Sequence, residues 1–185
     1  LQGKKALQWV QQENQRTVAR FGQGEDFQRI EREVLDILNK DTQIPWVSKR
    51  GKYYYNFWQD QANPRGLLRR TTLDRKAKPA WETVLDIDAL GKAEGKDWVY
   101  QGSQPLAPEY RYCLMQLSPD GGDATEIREF DLVAKRFVKD GFNVPVAKSR
   151  VSWVDRDTLF IATDFGPGSM TQSGYARIAK RWRRG

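Results

Sequence analysis

The sequence predicts a mainly β protein with two α-helices at its N-terminal end. Residues 46–185 contain short runs of Val, Ile, Tyr, Trp and Thr that alternate with polar residues, a period of two that is typical of antiparallel strands. Segments made of a strand, a Gly-containing turn and a second strand recur about every 45 to 60 residues. This interval is close to the length of one β-propeller blade, so the repeat predicts part of a propeller, about three blades.

Residues 1–45 are predicted to form a helical arm ahead of the propeller. In residues 6–21 the apolar side chains recur at helical spacing, and the Gly-Gln-Gly stretch 22–24 ends the helix. Asp26 is the predicted N-cap of a second helix, in which apolar residues recur at spacings of three and four. Asn39 is predicted to mark the end of that helix.

Strands are predicted along the whole of residues 46–185, with turns between them at residues 63–66, 118–122, 139–141 and 155–157, which are rich in Gly, Pro, Asn, Asp or Ser. The strands cover residues 53–59, 67–73, 83–88, 98–101, 111–117, 126–131, 136–138, 151–154, 158–163 and 176–182. Because no strand follows the last of these, we expect the array to be cut in the middle of a blade.

Composition limits the chemistry available to the chain. It has 185 residues, a formal net charge of +7, one cysteine and no histidine. Without histidine there is no zinc or copper cluster of the usual ligand types, and we predict neither a metal nor a cofactor. No apolar run approaches the roughly 18 residues of a spanning helix, so we expect no membrane partner. The positive charge permits an acidic surface or a nucleic acid as partner, but it is not evidence for one, and we expect no nucleic-acid partner.

Three features admit both a functional and a structural interpretation, and we favour the structural one for each. The cations of residues 177–184, with Trp182 among them, are typical of a nucleic-acid stripe, but their alternation is also that of solvated charges on a strand. Asp155 and Asp157 are a possible carboxylate pair, but Asp-x-Asp is common in tight turns. Cys113 lies in an apolar strand, which favours a core thiol over a nucleophile.

Several segments of the sequence carry a more specific signal than the spacing of apolar residues. They are residues 6–10, 13–14, 50–60, 63–66, 69–73, 81–86, 128–131 and 163–169, which read ALQWV, EN, RGKYYYNFWQD, NPRG, RRTTL, WETVLD, REFD and TDFGPGS. In this order they resemble the N-terminal half of bacterial serine peptidases of the prolyl oligopeptidase family, and the resemblance covers nearly the whole chain.

The resemblance implies a seven-bladed β-propeller that caps an α/β-hydrolase domain and gates the access of short peptides to it. The Ser-His-Asp triad would come from that domain, which is absent from this chain. The chain has no histidine for a general base and no Gly-x-Ser-x-Gly motif for a nucleophile, since the Gly-rich turn before Ser169 is only superficially similar. We therefore expect the parent protein to be a serine-type endopeptidase or oligopeptidase. Both a cytoplasmic and a periplasmic location stay open.

The resemblance also points to substrate-binding residues. Prolyl-specific members of the family place an aromatic residue, facing the substrate, just ahead of the strand that corresponds to residues 151–154. Here Lys148, Ser149 and Arg150 stand in that place, and a basic lining favours acidic groups on the peptide over a strict preference for proline. A further departure is the lack of a short acidic and aromatic insert between Asp74 and Arg75.

The sequence is also compatible with a second class of function. In this alternative, the chain is a non-enzymatic, propeller-like module that binds an acidic partner or nucleic acid. A downstream reading frame with Gly-x-Ser-x-Gly followed by Asp and His would support the peptidase. The isolated segment is expected to be a homo-oligomer, because an unpaired sheet edge is most simply covered by a second copy.

Overall fold

A computed structural model of the chain describes residues 3–40, 42, 44–73 and 77–185. Its contacts divide the chain into two compact units, Leu1–Gln43 and Ile44–Gly185. The predicted departure between Asp74 and Arg75 lies outside the described residues. None of the helices in the described part of the chain is both long enough and apolar enough to cross a bilayer.

The first unit contains two helices, α1 (Lys4–Phe21) and α2 (Glu25–Leu38). Helix α1 ends before Gly22 and helix α2 before Asn39, as the sequence predicts. The predicted N-cap at Asp26 is wrong, because Gly24 precedes the helix and Asp26 lies in its first turn. Gly24 has a φ of 107°, which a residue with a Cβ rarely adopts, and this sharp entry replaces a side-chain cap.

The second unit contains three antiparallel sheets in the described residues. The first sheet has the order β1-β2-β3-β4, the second has β5-β6-β7-β8 with β9 also paired to β7, and the third has β10-β11-β12. The strands are β1 (Ser48–Arg50), β2 (Tyr53–Trp58), β3 (Leu67–Thr71), β4 (Glu82–Asp86), β5 (Val99–Pro105), β6 (Tyr112–Ser118), β7 (Thr125–Asp131), β8 (Arg136–Phe137), β9 (Asn143–Ala147), β10 (Arg150–Asp155), β11 (Thr158–Ala162) and β12 (Ala179–Arg183).

Each predicted strand overlaps an observed one, but the sequence analysis missed three elements. Helix α3 (Ile87–Glu94) follows β4 directly, where the strand had been predicted to run on to residue 88. The carboxylate of Asp86 accepts a hydrogen bond from the Ala89 backbone N–H at 2.9 Å and so caps the helix. Strand β9 was missed because it contains Pro145, and strand β1 because it is short and polar.

Apolar side chains fill the space between neighbouring sheets. Between the first and second sheets, Tyr55, Leu68 and Val84 pack against Cys113, Met115, Phe130 and Leu132. Between the second and third sheets, Leu114, Ile127, Phe142 and Val144 pack against Val151, Leu159 and Ile161. Burial raises the pKa of the Cys113 thiol to about 12, which confirms the predicted core thiol and leaves it unreactive at neutral pH.

A buried ion cluster also joins the second sheet to the third. Glu129 on β7 is fully buried, and its carboxylate lies 2.7 Å from Nη1 of Arg156 and 2.9 Å from Nη2 of Arg184. The same carboxylate accepts a hydrogen bond from the backbone N–H of Phe142 at 2.9 Å. Both arginines belong to the third sheet or its turns, so this carboxylate ties two sheets together at one point.

The face of the third sheet that does not pack on the second carries exposed apolar side chains. Phe160 on β11 is 54% exposed and Val154 on β10 is 47% exposed. A second copy of the chain or further strands of the same polypeptide would bury them. The expected self-association of the isolated segment stays a prediction.

Candidate functional site

The three residues implied as substrate-binding line one polar cavity of about 510 Å³. Its walls come from strands β5 and β6, from the turn between β6 and β7 and the first residue of β7, from the connection between β9 and β10 and the first residue of β10, and from the loop before β12. The cavity therefore lies between the second and third sheets. Its lining includes the cations Lys148 and Arg150, the carboxylate of Asp123 and the side-chain amides of Gln101 and Gln116.

Lys148 is held in place by three contacts. Its Nζ lies 3.2 Å from Oδ2 of Asp123 and donates a hydrogen bond to the backbone oxygen of Ser173 at 3.3 Å. The same atom lies 4.5 Å from the centre of the Tyr175 ring, a cation–π contact. Lys148 and Tyr175 also form a parallel β-bridge, so the loop before β12 fixes the backbone of this lysine as well.

Ser149 has a structural role in the cavity wall. Its Oγ lies 2.6 Å from Oγ1 of Thr163, and its backbone N–H donates to the oxygen of Ala147 at 2.8 Å. Thr163 follows the last residue of β11 and is buried. The hydroxyl pair therefore attaches the connection between β9 and β10 to the third sheet.

Arg150 is the cation of the cavity that has no counterion among the described residues. It is the first residue of β10, where its backbone pairs with Ala162, and its side chain is exposed. Its guanidinium forms no ion pair with a carboxylate in the described ranges of the chain, whereas Lys148 already faces one. Of the three implied residues, Arg150 is thus the one whose charge is available to a ligand.

The sequence analysis missed Asp123 and Tyr175 as members of this site. Asp123 directly follows the predicted turn at residues 118–122, and the hydroxyl of Tyr175 donates to Oδ2 of Asp123 at 3.4 Å. The two residues lie 52 positions apart. Nothing in the local sequence pattern indicates that they meet, because the contact depends on how two sheets pack.

The other charged groups that the sequence singled out do not join the cavity. The carboxylate of Asp155 accepts the backbone N–H of Asp157 at 2.9 Å, a hydrogen bond that lowers the pKa of Asp155, so the predicted turn role is confirmed. In the C-terminal stretch, Trp182 packs against the core between the second and third sheets and Arg184 pairs with Glu129. The described residues contain no group of three or more acidic or thiol side chains placed to hold a metal ion.

Ser169 is not exposed as a nucleophile must be. It is 2% exposed, its Oγ donates to the backbone oxygen of Gly166 at 2.6 Å, and it accepts the backbone N–H of Phe165 at 2.9 Å. These bonds belong to a tight loop after β11. The same Oγ also lies 3.3 Å from Oδ1 of Asp164, a carboxylate that accepts the backbone N–H of Gly166, and the chain contains no histidine to act as a general base.

We therefore predict that the 185-residue chain alone hydrolyses neither peptides nor esters and is not labelled by a fluorescent fluorophosphonate. The measurement is in-gel fluorescence beside an equimolar active serine protease as positive control. Stoichiometric labelling of any serine in this chain would contradict the prediction, and a peptide map would then identify the residue.

Comparison with known proteins places this architecture in a family. The family model "Prolyl oligopeptidase, N-terminal beta-propeller domain" matches residues 2–184. The chain is 41% identical over 188 residues to an uncharacterized peptidase of Sinorhizobium fredii and 32% identical over 193 residues to one of Rickettsia prowazekii. These alignments cover 100% and 99% of this chain but 26% and 27% of the relatives. The chain thus spans about a quarter of the length of the relatives it matches.

Solved structures agree with this placement. A post-proline cleaving enzyme from Rickettsia typhi superposes with a TM-score of 0.89 at 31% identity, over 100% of this chain and 28% of that one. Oligopeptidase B from Leishmania major superposes with a TM-score of 0.67 at 16% identity, over 100% of this chain and 25% of that one, a likeness of fold alone. The chain belongs to the prolyl oligopeptidase family and corresponds to its N-terminal β-propeller domain.

Proposed function

We propose that this chain is the N-terminal propeller portion of a serine peptidase and that it gates the access of short peptides to a catalytic domain elsewhere in the polypeptide. The observation that carries the proposal is the family match over residues 2–184, together with 31% identity along the whole chain to a post-proline cleaving enzyme. In this proposal the three sheets are three of seven blades, and residues 1–45 form a helical arm. Isolated from the other blades, the segment self-associates.

We assign the cavity between the second and third sheets as the part of the propeller that meets the substrate. Two observations support the assignment. The implied residues Lys148, Ser149 and Arg150 lie together in one polar cavity, and Arg150 has no counterion in the part of the chain that the structure describes. Since Ser149 is engaged with Thr163, it positions its neighbours, and the cations make the contact with the peptide.

The selectivity of the full-length protein tests this assignment. The probes are two fluorogenic tripeptide amides that differ only in an N-terminal succinyl or acetyl group, so that one carries an extra carboxylate. Arg150→Gln should lower the ratio of kcat/KM for the succinyl over the acetyl probe about fivefold, because a solvent-exposed charge pair contributes up to about 1 kcal/mol. Lys148→Phe should lower the ratio as well and favour apolar peptides.

A matched control separates a local contact from a change in net charge. Arg136→Gln removes an exposed arginine from β8, which does not line the cavity, and should leave the ratio unchanged. If neither Arg150→Gln nor Lys148→Phe changes the ratio, the cavity does not contact the substrate. Hydrolysis of both probes would still show that the protein is a peptidase.

The alternative function, a non-enzymatic module that binds an acidic partner or nucleic acid, has one observation in its favour. Arg181 and Arg183 lie on exposed positions of β12, beside the exposed Phe160. The same assay decides between the two. A full-length protein that hydrolyses neither probe, and whose reading frame lacks Gly-x-Ser-x-Gly with a later Asp and His, would favour the binding module.

A further inference from the structure

We infer that Asp123 competes with acidic ligands for Lys148: its carboxylate pairs with Lys148, and a carboxylate of the peptide displaces it while binding Arg150. The inference rests on the proposed function, and it names both the chemical class of ligand, an acidic peptide group, and a residue that sets the preference for it.

The geometry of the ion pair permits displacement. The side chain of Lys148 is 29% exposed and also contacts the Tyr175 ring and the Ser173 backbone oxygen, whereas the side chain of Asp123 is 68% exposed. Asp123 is therefore the more exposed partner of the pair, and Lys148 is the partner with further contacts. A ligand that approaches from solvent can reach the carboxylate of Asp123 and compete with it for the lysine.

Asp123 is held weakly enough to be exchanged. Its Oδ2 has two polar contacts, Nζ of Lys148 at 3.2 Å and the hydroxyl of Tyr175 at 3.4 Å, and both are long for charge-assisted bonds. It lies on a tight turn between β6 and β7, in which Gly121 has a φ of 79°. An ion pair exposed to this degree shifts an equilibrium only a few-fold, so a ligand carboxylate can compete with it.

Arg150 explains why a ligand would be favoured over Asp123. The cavity holds two cations against one carboxylate, so one positive charge is unmatched even when Asp123 is paired. A peptide carboxylate gains a contact with Arg150 that Asp123 does not make, and after displacement it also reaches Lys148. Carboxylate recognition by a guanidinium is geometrically specific, which suits the planar acidic group of Glu, Asp or a chain terminus.

The test is the full-length protein with the same succinyl and acetyl probes. Removing the competitor by Asp123→Asn should raise the ratio of kcat/KM for the succinyl over the acetyl probe about threefold to fivefold. The change should lie in KM for the succinyl probe with kcat unaltered, because the contact is made equally in the ground state and the transition state. Screening by 0.5 M NaCl should reduce the gain.

Two further variants make the test specific. In a Lys148→Gln background, Asp123→Asn should give no further gain, because the competitor acts through that lysine. Asp140→Asn, which removes an exposed carboxylate from the turn between β8 and β9, should leave the ratio unchanged.

Each outcome is decisive. The inference is wrong if Asp123→Asn does not raise the ratio, or if it raises the ratio equally in the Lys148→Gln background. A lower ratio in Arg150→Gln would in either case still support the proposed site. Equal increases of the ratio in Asp123→Asn and Asp140→Asn would also contradict the inference, because they would show that the ratio responds to the net charge of the protein and not to a local contact. Failure of the wild-type protein to hydrolyse either probe overturns the proposed function itself.

Discussion

Replacing Glu129 by Ala should lower the free energy of unfolding of the chain by about 3 kcal/mol, because it removes the counterion that the half-buried guanidinium groups of Arg156 and Arg184 share. Arg184 then keeps only Asp157, whose Oδ1 lies 3.2 Å from its Nε, and Arg156 keeps no carboxylate among the described residues. The carboxylate is fully buried, while the side chains of Arg156 and Arg184 are 35% and 27% exposed. The backbone N–H of Phe142 also loses its acceptor. Unpaired buried donors and charges are among the few causes of large losses from a single substitution.

Glu129→Gln separates charge from shape. Its side-chain oxygen can still accept from the Phe142 N–H, but it cannot neutralise either arginine, so we expect a loss of about 2 kcal/mol. The contact between Oε1 of Glu129 and Nη1 of Arg156 is an ion pair without hydrogen-bond alignment, so it depends on the charge that Gln lacks.

Urea denaturation followed by tryptophan fluorescence measures both losses. Trp153 and Trp182 lie against Phe142 with ring centres 5.7 Å and 4.9 Å away, so they report on the interface that Glu129 holds together. The exposed Glu109→Ala is the control and should stay within about 0.5 kcal/mol of the wild type. A Glu129→Ala chain equally close to the wild type would show that the cluster contributes nothing to stability.

Trp98→Ala should be the most destabilising of the substitutions considered, with a loss of about 4 kcal/mol. Trp98 has no exposed surface and packs with the equally buried Ile87 of α3 and Leu117 of β6. Half-buried rings from the first and second sheets, Phe57 and Tyr100 among them, close the cluster around it. Removing the indole leaves a cavity where three elements meet, and a rigid interface can refill little of it.

Trp98 also makes a polar contact that a smaller change can isolate. Its Nε1–H donates to Oε2 of Glu94 at 2.8 Å, and Glu94 in turn accepts from Nη1 of Arg128 at 2.8 Å. Trp98→Phe keeps most of the ring and loses the hydrogen bond, so we expect a loss of about 1.5 kcal/mol.

The chain offers a matched control for this prediction. Trp46 is 93% exposed, and Trp46→Ala should change the free energy of unfolding by less than about 0.5 kcal/mol. Circular dichroism is the suitable probe of urea unfolding here, because both substitutions remove a fluorophore. Equal losses at Trp46 and Trp98 would refute the assignment of Trp98 to the core.

Local sequence patterns correctly predicted the elements that depend mainly on neighbouring residues. The alternation of polar and apolar residues predicted a strand over residues 53–59, and Tyr53, Tyr55 and Phe57 on one face of it pack towards the second sheet. The end of α1 before Gly22 and the burial of Cys113 were predicted for the same reason. Helix α3 was not, although Asp86 as N-cap and Gly95 as C-cap are local signals, because the preceding strand pattern was extended to residue 88.

From the residues alone, the family, the alternation of strands and turns and the positions of the two cations could be predicted. Which of those cations is free depends on contacts between segments that are distant in the sequence. Lys148 meets a carboxylate 25 positions before it and a ring 27 positions after it, whereas Arg150, two residues later, points to no counterion in the described residues. Ion pairs of this kind depend on how one sheet packs on the next. A pattern of neighbouring residues carries no information on the distance between side chains on different sheets.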